Sequence, residues 1–528
     1  MLSWISGRPV PTDFGGPTDI PFEPFLPNWL DQPIIQRFQW IADRFADKVA
    51  IDDDVASMTY RQVRAAVAGI AARIVEATPE GGAIAAILDN TSSFPVVFLA
   101  CLMTGRPIIP VDATYPPAHQ KAILQECGAV AVVLGEGLVL PDDMPDQLIR
   151  NQLAVSGHAA PDVVEPAISL SVDAPAGVIY TSGSTGKPKG CMHTHATVLH
   201  NVAGAAAWKH IGESVVALAT APFFHVTGLV HSFFSAIYAG GTMVIQRRWD
   251  PLEAARLVER YQCTHWDNVP TMVVDLLSHP EALKHDIRSL KWIFGGGAAM
   301  PEAIAQKLFD LCGVRYIEGY GMTETISQTH INPPQNPKKQ CLGIPTFDTE
   351  ALIVDPVTFK ILPMETQGEI VVRGPQLLTG YWKNQKAYEE SWCEVGGKRF
   401  FRTGDLGRTD EDGYFYISDR LKRMINAAGM KVWPAEVEAT MYKHPAIKEC
   451  CIIASPDERR GETVKLVVVL KPGISATESE ILEWSRTQMA AYKVPRKLEF
   501  TDALPRTGSG KLMWRALQER EWERETRR

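Results

Sequence analysis

The stretch Tyr180-Thr181-Ser182-Gly183-Ser184-Thr185-Gly186-Lys187-Pro188-Lys189-Gly190 follows the apolar run Gly177 to Tyr180 and governs how the rest of the chain is read. Its glycines let backbone N–H groups turn toward an anion, its hydroxyls add neutral donors, and Lys187 and Lys189 supply charge. Thr181 to Lys187, together with Lys189, is therefore a candidate polyphosphate cradle at the end of a buried strand. It is not a Walker A loop: Gly183 to Gly186 is too short, and Pro188 stands where that loop needs a Ser or Thr for magnesium. A Gly/Ser/Thr run alone reads as a surface linker. Two interleaved lysines directly after a strand argue for the cradle.

Upstream of this loop, helical and strand periods alternate. Ile34, Phe38, Ile41 and Phe45 recur at helical spacing before a strand at 49–51, and Thr59 stands at an N-cap position before Val63, Val67, Ile70 and Ile74. Strands at 83–88, 107–111 and 130–134 then alternate with helices at 95–103 and 119–127. A second such stretch covers 178–345. The expected fold class is α/β: a large N-terminal domain of stacked, largely parallel sheets, with a small antiparallel section between Glu350 and Tyr416. A smaller α+β module follows, with a helix opened by Pro434, strands at 449–454 and 464–470, and a helix at 478–489. The expected division is 1–418, a hinge at 419–422, and 423–528. The mixed-charge end, 515–528, reads as a solvated terminal helix.

Composition narrows the function classes. With 53 basic and 61 acidic residues the net charge is −8, which leaves no electrostatic footprint for nucleic acid or an anionic membrane. Nine cysteines without a C-x-x-C pair exclude a disulfide framework or zinc site as the organising feature. The N-terminus lacks a signal-peptide pattern, and the apolar stretch 225–245 is too broken for a transmembrane span. The expected setting is the cytoplasm. The first 30 residues, rich in Pro and aromatics, read only as a strap across the large domain or a surface for a partner subunit. A homodimer is compatible with the sequence but not required by it.

Further blocks carry chemistry. In Gly319-Tyr320-Gly321-Met322-Thr323-Glu324-Thr325, Tyr320 offers a ring for base stacking and Glu324 a carboxylate suited to Mg²⁺. Gly295-Gly296-Gly297-Ala298-Ala299 follows the strand 292–294, where backbone without side chains admits a flat base. It reads equally as a helix-entry turn. Asp405 can accept from two ribose hydroxyls or cap the turn before Leu406. Lys511 sits among Gly508, Ser509 and Gly510, a setting for a cation that enters and leaves a site.

With Tyr381-Trp382, Arg402-Thr403-Gly404-Asp405, Asp419-Arg420-Leu421-Lys422, Gly429 with Pro434-Ala435-Glu436-Val437-Glu438, and Pro505 to Lys511, these blocks resemble the acyl-adenylate-forming superfamily of acyl-CoA synthetases, beetle luciferases and peptide-synthetase adenylation domains. The resemblance implies an acid–CoA ligase that uses ATP, Mg²⁺ and coenzyme A. It assigns Thr181 to Lys187, Lys189 and Thr323 to the phosphates, Glu324 to the ATP-bound metal, and Gly297, Ala298 and Tyr320 to the base. Asp405 and Arg420 go to the ribose or phosphate, Lys422 to the hinge, Lys511 to adenylation and Gly429 to the pantetheine channel.

Three other readings share these motifs. They are a stand-alone adenylating enzyme that loads a carrier protein in trans, a luciferase-type oxygenase, and an inactive ATP-binding regulator. The last would be marked by loss of Lys511, Glu324 or Asp405, all of which are present. For the acid itself, Pro222 to Gly228 resembles the Phe-Asp-x-Ser block of amino-acid-activating relatives, with His225 at the Asp position. A neutral imidazole cannot balance a buried ammonium, so amino acids are expected to be poor substrates. Phe223, Phe224 and Leu229 suggest an apolar acyl pocket with His225 at its mouth. The expected acid is a medium- or long-chain fatty acid, with an aryl or arylalkanoic acid second.

Overall fold

The computed structural model describes residues 3–5, 8–10, 31–53, 56–150, 152–154, 165–166, 168–181, 188–428, 430–457, 460–506 and 512–526. By packing, the chain forms two compact units. The first comprises 1–351, 372–393 and 399–401; the second comprises 352–371, 394–398 and 402–528. The sequence placed the division at 419–422. By packing, 352–371, 394–398 and 402–418 group with the C-terminal residues.

The first unit is built on two sheets. In one, strands Gln152–Ala154, Ala131–Leu134, Ile84–Leu88, Ile108–Asp112 and Pro175–Tyr180 run parallel, with Gly190–Thr194 and Gly380–Tyr381 added antiparallel at the edge. The other has nine strands. Its parallel centre orders Val49–Asp52, Thr242–Ile245, Val216–Ala219, His265–Asn268, Trp292–Gly296 and Tyr316–Met322. Strands Ile84–Leu88 and Ile108–Asp112 are buried at every position, as parallel strands covered on both faces must be.

Helices Ser93–Met103 and His195–Trp208 lie in the core that joins the two sheets. Their sequences carry almost no polar face, so only a position covered all round suits them. The outer faces are covered by Pro251–Tyr261, Pro270–Ser278 and Glu302–Cys312 on the nine-stranded sheet and by Pro117–Cys127 on the other. Local signals held where they were strong. Thr59 caps Tyr60–Ala77 in a capping box, accepting from Gln62 N while Gln62 Oε1 accepts from Thr59 N. Of the first 30 residues, Ser3–Ile5 and Arg8–Val10 form a hairpin whose first strand pairs with Glu350 and Ala351.

The C-terminal unit contains a long hairpin, Ile447–Asp457 with Gly461–Leu470, joined in parallel by Lys497–Phe500. Helices Pro434–Met441 and Glu478–Gln488 cover one face. Helix Trp514–Thr526 covers the other and is not merely a solvated end. Leu517 packs with Cys451, Ile453 and Val467, and buried Glu521 receives bonds from Ser455 Oγ and Lys465 Nζ. Charge count alone misreads it, because one buried carboxylate with two partners looks like any other Glu in a run of charges.

Candidate active site

Strands Pro175–Tyr180 and Gly190–Thr194 pair antiparallel, and the ladder extends into the phosphate-loop sequence: Thr181 N donates to Lys189 O at 2.9 Å. The residues on either side of the loop are thus fixed to one another by backbone bonds. Ser182 to Lys187 lie outside the described residues. Lys189 is described: its Nζ stands 4.9 Å from the Tyr381 ring centroid, a cation–π distance. The Tyr381 hydroxyl donates to Glu324 Oε1 at 2.9 Å. Lys189, Tyr381 and Glu324 therefore form one connected group.

Thr323 and Glu324 sit in the 3₁₀ turn Thr323–Thr325 between Tyr316–Met322 and Ser327–Ile331. The turn is held from beneath by Gly190–Thr194 and the helix after it. His193 Nε2 donates to Thr323 O at 2.8 Å, and Asn201 Nδ2 donates to Thr325 O at 3.2 Å. Burial depresses His193 to about 4, so its ring is neutral and its Nε2 proton serves the carbonyl. Gly321 is required by close approach: a Cβ there would lie 1.7 Å from Ser327 O.

The remaining first-unit candidates lie at the carboxyl ends of the parallel strands, where open α/β sheets place ligand sites. His225 follows Val216–Ala219. Its Nδ1 accepts from Thr227 N at 3.3 Å, which leaves the ring proton of a neutral imidazole on Nε2. The glycine run differs from its sequence reading. Gly295 and Gly296 belong to the strand itself, and the next helix begins only at Glu302. A Cβ on Gly295 would meet Tyr316 Oη at 1.7 Å, and one on Gly296 would meet Gly319 O at 2.7 Å. Packing thus accounts for both. Gly297, with φ +82°, makes the turn, and Gly297 and Ala298 are exposed as a base platform would need. Tyr320 is half-buried, its ring 5.7 Å from that of His330.

Of the apolar lining expected near His225, Phe224 is half-buried, its ring centroid 6.0 Å from that of Tyr115. Phe223 is 1% exposed and packs against Phe94 and Phe233, and Leu229 is fully buried. Both are core residues.

In the C-terminal unit, Arg420 Nε pairs with Asp405 Oδ1 at 2.8 Å, on facing positions of Lys398–Thr409 and Phe415–Arg420. Asp405 also receives its own turn's support, its N donating to Thr403 Oγ1. Lys422 is exposed in the 3₁₀ turn Leu421–Arg423. Asp419 reaches across this turn: its Oδ2 accepts from Ala435 N at 2.7 Å, in the first turn of Pro434–Met441. Ala428, at φ +58°, begins the hairpin turn between Ile425–Ala427 and Met430–Val432. Gly429 and Lys511 lie outside the described residues. Sequence reading gave no role to Tyr381's hydroxyl, His193 or Asp419's bond to Ala435. Tyr381 and Asp419 stood inside quoted motifs, whereas His193 had no signal beyond following the loop.

Among the described residues no helix is long and apolar enough to cross a membrane. Comparison with known proteins finds relatives along nearly the whole chain. A long-chain-fatty-acid–CoA ligase of Bacillus subtilis is 31% identical, covering 96% of this chain and 97% of its own. A feruloyl-CoA synthase of an Amycolatopsis species is 32% identical, covering 87% and 92%. The solved structure of ATP-bound MatB from Rhodopseudomonas palustris matches with a TM-score of 0.83 at 26% identity, covering 93% of this chain and 99% of that one. Residues 38–382 match the AMP-binding enzyme family and residues 436–511 its C-terminal domain: the chain belongs to the AMP-binding enzyme family.

Proposed function

We propose that this chain joins an aryl or arylalkanoic acid to coenzyme A through an acyl-adenylate. The chain is an AMP-forming acyl-CoA ligase, and its substrates are a small-molecule acid, ATP and CoA. The linked group Lys189, Tyr381 and Glu324 at the end of the Gly/Ser/Thr segment carries the reading, because it sets a cation and an ordered carboxylate beside the loop suited to polyphosphate.

In the first step a carboxylate oxygen of the acid attacks the α-phosphorus of ATP and pyrophosphate leaves. Lys511 supplies a cation for the charge that develops there, and backbone N–H groups of 182–187 with Lys189 hold the phosphates. Glu324 is a single, half-buried carboxylate, a donor set that fits Mg²⁺, which keeps waters and takes phosphate oxygens. Bound there, the ion would neutralise phosphate charge. His225, with its proton on Nε2, donates to the acid's carboxylate and orients it. Asp405, held by Arg420, takes the ribose. In the second step the CoA thiolate attacks the acyl carbonyl and AMP leaves. Lys422 is the pivot between the two steps, and Gly429 leaves room for pantetheine.

The core burial of Phe223 and Leu229 removes two large apolar members from the expected acyl lining. We rank an aryl acid ahead of a medium- or long-chain fatty acid, which the sequence reading put first. The test is a panel of alkyl, aryl and amino acids assayed for ATP- and CoA-dependent AMP release, with wild-type and Lys511→Ala enzyme. Lys511→Ala should lose adenylation by on the order of 10² to 10³ yet still make thioester from supplied acyl-AMP. No AMP release with any acid overturns the ligase reading, and a best response to an alkyl acid overturns the aryl one.

A further inference from the structure

Lys422 is exposed, but the next side chain, Arg423, is only 12% exposed. A guanidinium so placed needs acceptors. Its Nη1 donates to Glu438 Oε2 at 3.3 Å and its Nη2 to Glu438 Oε1, a fork onto one carboxylate of the helix Pro434–Met441. Nη2 also donates to Ile452 O at 3.3 Å, and Ile452 N returns a bond to Glu438 Oε1 at 2.8 Å. The third neighbour is a ring. The guanidinium carbon lies 5.6 Å from the Trp514 centroid, within cation–π range. A guanidinium forked onto a carboxylate has little freedom left, so it fixes what lies against it.

Trp514 opens the last helix, Trp514–Thr526, and stands three positions after Lys511. Residues 507–511 lie outside the described residues, but the chain on either side of them is tied together. Arg506 and Leu512 form an antiparallel bridge, and Met513 N donates to Pro505 O at 2.8 Å. Arg506 Nη2 in turn donates to Glu449 Oε2 at 2.7 Å. Leu512 and Trp514 pack against the buried cluster of Cys451, Ile453 and Leu517. The place of Trp514 thus sets the C-terminal root of the segment that bears Lys511.

The segment that bears Gly429 is anchored elsewhere. Asn426 N donates to Glu462 Oε2 at 2.7 Å, and Ala427 pairs with Gly461, both partners lying on the strand Gly461–Leu470. Neither contact involves Trp514.

We propose that Arg423 and Trp514 are positioning residues for the adenylation step: their contact fastens the root of the Lys511 segment to the turn beside the pivot. The proposal rests on the acid–CoA ligase reading with Lys511 as the adenylating cation. Arg423 and Trp514 act through that lysine. A misplacement of about 1 Å costs up to roughly a hundredfold in rate, and because the lost interaction belongs to the transition state, ATP binding in the ground state is spared.

The experiment follows two half-reactions in the full chain: ATP–pyrophosphate exchange with cinnamic and decanoic acids, and thioester formation from cinnamoyl-AMP and decanoyl-AMP with CoA. Trp514→Leu should slow exchange roughly ten- to a hundredfold through kcat, with the KM for ATP and the thioester rate within about twofold of wild type. Arg423→Met should slow exchange likewise, and the double variant should be no slower than the worse single one, because the two residues act as a unit. Trp514→Phe keeps a ring for the cation and should recover most of the rate. If Arg423→Met fails to fold by its melting profile, the two Trp514 variants decide alone. Unchanged exchange in Trp514→Leu, or equal loss in both half-reactions, overturns the inference while the ligase reading stands. Normal exchange in Lys511→Ala, run alongside, overturns the role of that lysine and the inference with it. No exchange with either acid in wild type overturns both readings.

Discussion

Tyr381 donates its hydroxyl hydrogen to Glu324 Oε1 at 2.9 Å, across 57 positions of sequence. Burial and then the Glu324 charge push the Tyr381 phenol well above its ordinary range, so it stays a donor throughout the working pH range. One of the two carboxylate oxygens of Glu324 is thereby fixed, and the other is directed by that constraint.

Tyr381→Phe should preserve the fold and weaken use of magnesium–ATP, raising its KM by about tenfold, as loss of a supporting bond to a ligating carboxylate typically does. The KM for the acid should stay within about twofold of wild type. Steady-state kinetics with each substrate varied in turn checks this; equal rises in both constants would point to general disruption instead.

Lys209→Met should destabilise the large unit by about 3–5 kcal/mol, because it strands the buried Asp267 carboxylate. Lys209→Met combined with Asp267→Leu should recover most of that loss. Urea unfolding of the two single variants and the double variant measures the coupling, and additive effects would show that the charges do not depend on one another.

His195 is fully buried, neither of its ring nitrogens has a partner among the described residues, and burial depresses it to about 4. The unfolded chain takes up a proton here below about 6.5, whereas the folded chain does not until near 4. The stability linked to this group is therefore fully present above the unfolded value and falls as pH drops through the window between the two. At pH 5 the penalty is about 2 kcal/mol. Relative to wild type, His195→Leu should gain about that much on going from pH 7.5 to pH 5. Urea midpoints at the two values test it, and a pH-independent difference would mean that the ring is protonated in the folded state.

Leu517→Ala should cost about 2–5 kcal/mol, and removing 512–528 should prevent the C-terminal unit from folding. Circular dichroism with urea titration distinguishes this from a solvated helix, whose removal would leave the transition in place.

What the sequence revealed and what it withheld divide by distance along the chain. The N-cap at Thr59, the strand leading into the phosphate loop and the strand–helix alternation depend on neighbours within a few residues, so period and spacing reveal them. The Tyr381–Glu324 bond and the Lys209–Asp267 pair join residues more than fifty positions apart. Nothing local marks such a Lys as buried rather than solvated. The π-helix at 227–234 also escaped, since its apolar sequence fits ordinary helical spacing equally well. Leu517 shows the same limit in one residue, being a lone apolar position among charges that nonetheless closes a core.

The backbone changes from one compact unit to the other at 351/352, 371/372, 393/394, 398/399 and 401/402. A genetic exchange that cuts at 419–422 therefore moves the cores of 423–528 intact but parts them from segments of the same compact unit. It separates 423–528 from 352–371, 394–398 and 402–418, which share its packing. A donor module spliced in at that point must fit a set of foreign strands scattered through the recipient's reading frame. Single-crossover hybrids of this enzyme should accordingly fold poorly, and shuffling succeeds only where those strand segments travel with the module or already match it.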